Sequence, residues 1–394
     1  MSRDISPPPS KRRKTDAQSI STHQPTPQLL SLPALPLTNH DTMRLFSWNI
    51  NGIAPFLQKP ITSFFASSRP SASKTSNPTI PTPIPPASLR GFLQRNNWPA
   101  ILFLQEVKIA SSDEKTQDAV RRAVNVRDPG EELGVGGVRG PMYEAHFTLP
   151  NDPHNARGLR GNGKIYGVCS IIRSDLFSDY KANVRTIDWD KEGRLSVVEL
   201  TSISSGKKLA LFNIYAVNGT DNPYRDPSTG TVQGTRHDRK LAFHRLLMEE
   251  CLELEREGWH ILLAGDMNVA PSIMDGFPNL RTFPHQHVVN RADFNTRFLN
   301  GKKGVEEEVF EGVDVWRKLY GDERRYTYYS RGRQWGSSCD RVDYAIVGRS
   351  MWDEGLVTGA GILDSEAERG PSDHVPIWVD IRLGKENVKV KGDG

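Results

Sequence analysis

Residues 209–215 read LALFNIY, apolar at odd and even positions alike except for Asn213. A strand with one wet face alternates apolar and polar residues, so a run of this kind belongs to a strand covered on both sides. Working outward, strand patterns recur at Met43–Trp48, Ile101–Leu104, Tyr143–Phe147, Tyr166–Ile172, Leu195–Leu200, Lys208–Tyr215, Ile261–Ala264, Tyr326–Tyr329, Val342–Val347 and Val375–Asp380. Helical spacing is clearest over Arg239–Glu257, through Leu241, Phe243, Leu246, Leu247 and Leu254, with Val313–Tyr320 as a second helix. A doubly wound parallel sheet needs a helix after nearly every strand, which this chain lacks. The expected fold is therefore α/β (α+β), a four-layer sandwich of two packed mixed β-sheets flanked by helices.

The chain has 394 residues, room for one large domain or two medium ones with a substantial core. Strand-like sequence continues across each interruption, so one catalytic domain is expected over residues 41–384. Residues 1–40 and 385–394 are expected to be disordered tails. The Pro/Ser/Thr-rich stretch at about 67–88 reads as a surface insertion, and smaller Gly-rich ones occupy Asp128–Gly140 and Asn155–Gly163. The formal charge is +4. Five basic residues (Arg3, Lys11, Arg12, Arg13 and Lys14) against Asp4 and Asp16 put +3 of it in the first 16 residues. The rest is nearly neutral, so affinity for nucleic acid must come from local clustering. The KRRK at Lys11–Lys14 reads as a nuclear-import signal, its plainer alternative being a solvated basic tail. Three widely spaced cysteines without CxxC give no disulfide framework or zinc site and point to a reducing compartment. No apolar run approaches the roughly 20 residues that span a bilayer, and no signal peptide is visible.

Several strands run directly into polar residues. Asn49 and Asn51 follow the first (SWNING), and Gly52 permits a sharp turn. Glu106 ends AILFLQE, and Asp266 and Asn268 end ILLAGDMN. Asp373 and His374 immediately precede VPIWVDI, while Asp343 opens another strand in DRVDY. Each has a plain reading: a strand-end cap, an Arg-paired Glu, an Asp turn, a satisfied core histidine. Together they describe hard ligands gathered beside a phosphate. An Asp–Asn pair suits orienting and deprotonating a water, and an Asp–His pair lets the carboxylate bind metal while the imidazole faces the phosphate. A separate carboxylate should orient that imidazole, and Asp343 is the natural candidate. The stretch ERRYTYYSRGRQW adds Arg324, Arg325, Arg331 and Arg333 to Tyr326, Tyr328, Tyr329 and Trp335. Arginines clamp phosphates and rings stack on bases, although about half of these rings should face a core.

In order, SWN, LQE, GVCSI, EGRL, NIYAVN, GDMNVAP, RVDY and SDH resemble the exonuclease III branch of the endonuclease/exonuclease/phosphatase (DNase I-like) superfamily, which includes the AP endonucleases of base-excision repair. The resemblance covers about Met43 to Leu383. It implies metal binding by Asn49, Glu106 and Asp373, and the full candidate ligand set is Asn49, Glu106, Asp266, Asn268, Asp373 and His374. It implies Asp266 as the group exchanging a proton with the attacking water, Asn268 bonding to the transition state, Tyr215 touching the scissile phosphate, and His374 paired with Asp343. Asn51 and Asn218 are implied substrate contacts, and Arg331 and Arg333 are added from the basic–aromatic stretch. The implied activity is Mg2+-dependent DNA phosphodiester cleavage, with Mn2+ as an alternative ion. It would act at apurinic or apyrimidinic sites, with 3′-exonuclease and 3′-phosphodiesterase activity. The expected setting is the nucleus, with a monomer bound to duplex DNA and an import receptor on the tail.

Three departures bear on substrate choice. Val217 replaces a family proline and is followed by the long polar loop NGTDNPYRDPSTGTVQGT, Asp340 stands where many AP endonucleases have Trp, and the first half carries insertions. The alternatives are a 3′-end-trimming exonuclease, a less selective DNase, a tyrosyl-DNA phosphodiesterase, or a DNA-binding module without catalysis. Competent residues at every position needed for chemistry argue against the last.

Overall fold

The both-sided apolar run resolves into two faces of one strand, Lys208–Tyr215. In this computed structural model, which describes residues 42–57, 87–126, 140–156, 166–300 and 308–382, Leu209 and Leu211 point inward. They meet Leu262, Ala264 and Ala345 of neighbouring strands and Leu45, Ile101 and Phe103 of the opposite sheet. Ala210, Phe212 and Ile214 point outward and pack with Phe243, Leu247 and Phe294 of two covering helices, Arg236–Arg256 and Gln286–Phe298.

Two six-stranded sheets face each other. The first runs Val357–Ile362, Ile377–Arg382, Thr42–Asn49, Ile101–Gln105, Val168–Arg173, Tyr143–Thr148; the second runs Gly312–Asp314, Asp343–Gly348, Trp259–Asp266, Lys208–Tyr215, Leu195–Ser202, Tyr180–Thr186. Each is antiparallel except for one parallel pair, Thr42–Asn49 with Ile101–Gln105 and Trp259–Asp266 with Lys208–Tyr215. Both sheets are thus mixed. The first sheet's outer face carries Phe46 and Trp48, both packed on Phe92 of the helix Leu89–Arg95 at ring separations of 5.4 and 5.1 Å. Helix, sheet, sheet, helix is the expected four-layer order.

A polar chain crosses the interior between the sheets. Gln105 Nε2 donates to Ser47 Oγ (2.9 Å) and to Asn213 Oδ1 (2.8 Å) in the other sheet. Asn213 Nδ2 returns to Cys169 O (3.1 Å) and Ser170 Oγ (3.3 Å), and Ser170 Oγ meets Ser196 Oγ at 3.1 Å. The polar exception in LALFNIY is therefore a tie between sheets.

Several element boundaries differ from the sequence reading. The long helix starts at Arg236, because Thr235 and Asp238 form a capping box one turn ahead of the apolar stripe. Val313 and Asp314 belong to a short strand, and only Val315–Tyr320 is helical, capped by Asp314. Tyr326–Tyr329 shrinks to a two-residue strand. The helices Leu89–Arg95, Glu114–Ala123 and Gln286–Phe298 and the strands Tyr180–Thr186 and Val357–Ile362 carry weaker patterns and escape the sequence. The expected tails at 1–40 and 385–394, the 67–88 insertion apart from Ala87 and Ser88, and most of the two Gly-rich insertions lie outside the described residues. Cys169, Cys251 and Cys339 are buried and unpaired. Among the described residues no helix is long and apolar enough to cross a membrane.

Gly265, between the apolar run and Asp266, has φ +148°, and a Cβ there would fall onto the Ile214 carbonyl of the adjacent parallel strand. Gly258 also has positive φ, +83°, but open space around it. Gly265→Ala should therefore lower stability by at least about 2 kcal/mol through overpacking on top of strain. Gly258→Ala should cost only about 1 kcal/mol. Denaturant titration of both variants checks the contrast; equal losses would refute the close-approach argument.

Candidate active site

The strand ends assemble the site. Tyr215, Asp266 and Asp343 lie side by side in the second sheet, Asp266 being in register with both neighbours. In the first sheet Asn49 is in register with Gln105, and Glu106 follows. Beyond these ends the chain turns through left-handed backbone at Asn51 (φ 51°), Glu106 (55°), Lys108 (55°) and Asn268 (51°). Such conformations are unfavourable for residues other than glycine, and their concentration here marks a constrained site.

A continuous hydrogen-bond network joins the two rows. Asn49, 1% exposed, directs Nδ2 to Asp266 Oδ2 (3.0 Å) and Glu106 Oε2 (3.3 Å), and its Oδ1 accepts from the Asn51 amide (3.0 Å). Asn51 Nδ2 donates to Asp373 Oδ1 (2.8 Å). The Lys108 ammonium lies 3.0 Å from Glu106 Oε1 and donates to the Asn51 side chain. Asp266 Oδ1 accepts from the Asn268 amide (2.8 Å), while Asn268 Nδ2 donates to Ala216 O (2.9 Å) and reaches Asp266 Oδ2 at 3.3 Å. Asn268 thus spends its amide nitrogen on holding Asp266 and the neighbouring strand, which leaves Oδ1 as its remaining group.

His374 Nδ1 donates to Asp343 Oδ2 at 2.7 Å, the pairing expected from sequence, and Nε2 lies 4.0 Å from Asp266 Oδ2. Its backbone is pinned as well: the amide donates to Ser372 Oγ, which donates to Asn49 O, and its carbonyl accepts from Trp48 Nε1. Burial alone would lower the imidazole's proton affinity, but Asp343, then Asp266 and Asp373, push it up to about 10. At neutral pH it is an imidazolium. Asp266 is raised to about 7 by burial and by Asp343, against the pull of His374 and the bonds from Asn268 and Asn49. Lys240, 2% exposed and bonded to Asn268 O at 2.7 Å, is lowered to about 7 by burial against the attraction of Asp266.

Tyr215 is held from behind by a buried charge cluster. Arg194 spans the rings of Tyr166 (3.8 Å) and Tyr215 (5.0 Å) and donates to the Tyr215 and Ala216 carbonyls. Glu192 accepts from Arg194 (3.0 Å), Arg236 (2.7 Å) and Arg239 (3.2 Å). Burial and the Glu106 carboxylate keep the Tyr215 hydroxyl far above its ordinary value despite Arg194, so it remains a hydrogen-bond donor.

These groups open onto one cleft of about 300 Å³, lined by Glu106, Tyr215, Asp266, Asn268, Asp373 and His374, and also by Asn218, Lys240, Arg281, Tyr328 and Asp340. Asn49, Asn51 and Asp343 support it through the bonds above. Arg331 and Arg333, expected to contact substrate, are exposed and do not line it. Trp335 stacks on Tyr329 at 3.7 Å and folds their loop back on the satellite core of Tyr329, Cys339 and Val375. Arg325 is tied to Asp364 and Glu323. Of the ring cluster, Tyr328 faces the cleft, its centre 5.1 Å from that of His374, and Tyr329 faces inward.

The donor set fits a hard divalent cation. Ligand atoms of Asp266, Asp343 and His374 converge within 4.8 Å, and Asp343 Oδ1 is buried without a hydrogen-bond partner among the described residues. Asp343 engages His374 Nδ1, which leaves Nε2 to face the cleft. Glu106 and Asp373 supply further carboxylates to the same cleft, and oxygen donors of this kind match Mg2+ or Mn2+.

Sequence reading missed Lys108, Lys240 and the Glu192–Arg194 cluster. Lys108 stands two residues after Glu106, and EGRL was visible as a string, but neither pattern gives a spatial partner. Lys240 resembles any surface lysine of an amphipathic helix until burial is known.

The sequence model of the Endonuclease/Exonuclease/phosphatase family matches residues 46–374. The chain belongs to this family. No curated protein sequence matches it. Among solved structures it is similar to the AP endonuclease LMAP of Leishmania major, at 17% identity and TM-score 0.57, over 87% of this chain and 89% of that one. It is also similar to the catalytic domain of Xenopus laevis APE2, at 16% identity and TM-score 0.52, over 87% and 94%. At these identities the likeness is one of fold.

Asp266 binds its proton more tightly in the folded chain than in the unfolded one, so its contribution to stability is complete below 3.8 and lost as pH rises through about 7. Metal-free Asp266→Asn protein should therefore gain stability relative to the native chain across that interval. Paired denaturant titrations in chelator at several pH values check this, and a flat difference would refute the raised affinity.

Proposed function

We propose that the protein is a Mg2+-dependent DNA phosphodiesterase of the exonuclease III/AP endonuclease type, cutting beside abasic sites and removing nucleotides or blocking groups from 3′ ends. The observation that carries this reading is the His374–Asp343 pair set 4.0 Å from a buried Asp266 of raised proton affinity, in a cleft shared with Glu106 and Asp373. The order of the sequence motifs supports the branch, and the AP endonuclease fold supports DNA as the substrate. The basic Lys11–Lys14 cluster supports work in the nucleus, through an import receptor, and the enzyme would act as a monomer.

The chain's own groups divide the chemistry. Asp266, titrating near neutrality, accepts the proton of the attacking water while Asn49 and Asn268 fix its two oxygens. His374, charged and oriented by Asp343, presents Nε2–H to a phosphoryl oxygen and offsets charge as it develops. Tyr215 donates its hydroxyl to the same phosphate, held in place by Arg194. Asn51 and Lys108 hold Asp373 and Glu106, the carboxylates that would bind the cation together with Asn49. When bound, Mg2+ or Mn2+ supplies Lewis-acid polarisation of the phosphate and a more acidic water. Phosphoryl transfer needs little beyond such positioning and charge neutralisation.

A substrate panel of abasic-site duplex, 3′-blocked duplex and intact duplex tests the reading. Cleavage should require a divalent ion, vanish in chelator, and fall by roughly 10²–10⁴-fold in Asp266→Asn. Cleavage indifferent to that change would refute the site. Absence of any preference for the abasic duplex would move the assignment to 3′-end trimming, the second reading, which Asp340 favours.

A further inference from the structure

Past the catalytic row, the cleft contains side chains that phosphoester cleavage does not use. Three cross-strand registers set them in line: Gly276 opposite Asp340, Asp340 opposite Tyr328, and Tyr328 opposite His374. Directly opposed residues of antiparallel strands project to one face. Asp340 therefore faces the cleft two strand spacings, about 10 Å, from His374. A sugar attached to the phosphate at His374 does not extend that far. A base carried on that sugar does.

The walls of this slot match a base. Val269, Val342 and Tyr328 offer apolar faces, and polar groups stand among them. Asp340 is an acceptor. Arg281 is a donor whose guanidinium makes no hydrogen bond or ion pair among the described residues, and its backbone is held by Arg291, which bonds the Arg281 carbonyl (2.7 Å) and the Ala270 carbonyl (2.8 Å). Asn290, 2% exposed, is fixed by His237 Nδ1 at 2.7 Å, and its Oδ1 has no hydrogen-bond partner among the described residues. That arrangement needs Gly219, where a Cβ would lie 2.6 Å from Asn290 Nδ2. Apolar faces with an unpartnered buried amide and both a donor and an acceptor suit a planar heterocycle read at its edge. A second phosphate would meet Arg281 and Arg291, but also the Asp340 carboxylate and three apolar walls. A bare abasic sugar would leave the buried Asn290 Oδ1 unanswered, which is costly.

We propose that this slot binds the base of an intact 3′-terminal nucleotide, with Asp340, Arg281 and Asn290 reading its edge. The cleft is then built for nucleotides that keep their base as well as for abasic sugars. This rests on the DNA phosphodiesterase reading and names the substrate group of that same cleft.

The test uses the full chain with Mg2+ and follows inhibition of 3′-nucleotide release from a labelled duplex. The competitors are the four deoxynucleoside 5′-monophosphates, 2-deoxyribose 5-phosphate and inorganic phosphate. At least one nucleotide should inhibit ten-fold or more better than the sugar phosphate. Asp340→Ala and Asn290→Ala should each reduce that ratio about five-fold or more, consistent with one edge contact. Because the ratio is taken within each variant, a reduced total activity does not disturb it, and Asp340→Asn provides a variant of unchanged size. Equal inhibition by nucleotide and sugar phosphate would overturn the proposal, as would inorganic phosphate matching the nucleotides. Calorimetry of the same ligands with Asp266→Asn protein reads the slot independently. Selective nucleotide binding without DNA cleavage by the native enzyme would leave the slot standing and remove the phosphodiesterase reading.

Discussion

The geometry of the site depends on one buried contact between the sheets, the 2.8 Å hydrogen bond from Gln105 Nε2 to Asn213 Oδ1. Both residues are fully buried, so sliding one sheet against the other would strand polar groups at about 1–3 kcal/mol each. Apolar packing alone is less selective, because neighbouring aliphatic residues exchange partners at small cost. The tie sits beside the chemistry. Gln105 precedes Glu106, and Asn213 lies two residues before Tyr215 on the same strand. A one-residue slip in either strand would turn these side chains to the wrong face. Fixing the amide pair therefore sets the row holding Tyr215, Asp266 and Asp343 against the ends that carry Asn49 and Glu106.

Once the rows are aligned, charge balance decides what each group does. Burial and the neighbouring Asp343 raise the proton affinity of Asp266, and Asp343 with Asp266 raises that of His374 against its burial. Lys108 and His374 offset the carboxylates from opposite sides. The Glu192 cluster works differently. It brings three arginines onto one buried carboxylate beneath Tyr215, where it fixes a ring and two backbone carbonyls rather than reacting. Under the proposed chemistry, donors held this rigidly would need no reorganisation as charge develops on the phosphate.

Much of this was legible in the sequence where a strand pattern ran straight into a polar pair. ILLAGDMN, SDH and DRVDY each combine a buried run, whose direction is forced, with the residue that follows, whose position is forced in turn. The Asp343–His374 contact, 31 residues apart, could be anticipated because both belong to strand mouths. Legibility ended where partners are chosen by packing. The arginines at 331 and 333 share a string with Tyr328, yet only Tyr328 lines the cleft, while Trp335 of their loop stacks on Tyr329. Lys108 has no neighbour in sequence that predicts Asn51 as its partner. Strands such as Val357–Ile362, with glycines at 359 and 361, exist because Trp378 and the rest of Ile377–Arg382 lie against them, and not because of any local preference.

The residues around Asp340 show how one fold changes what it accepts without disturbing what it does. Arg341 is fully buried, with Nε on Asp275 Oδ1 (2.6 Å) and Nη2 on Asp314 Oδ2 (2.6 Å), and Arg317 joins the same carboxylate of Asp275. Thr327 Oγ1 accepts from the amides of Val342 and Asp343. These bonds hold the segment from both sides through groups that do not face the cleft. The carboxylate at 343 is thus held by bonds that involve neither the 340 nor the 342 side chain. In such a segment the buried Arg341 carries the stability, while the cleft-facing positions 340 and 342 are free to vary. Under the proposed reading, a carboxylate at 340 would change what the cleft accepts without moving Asp343.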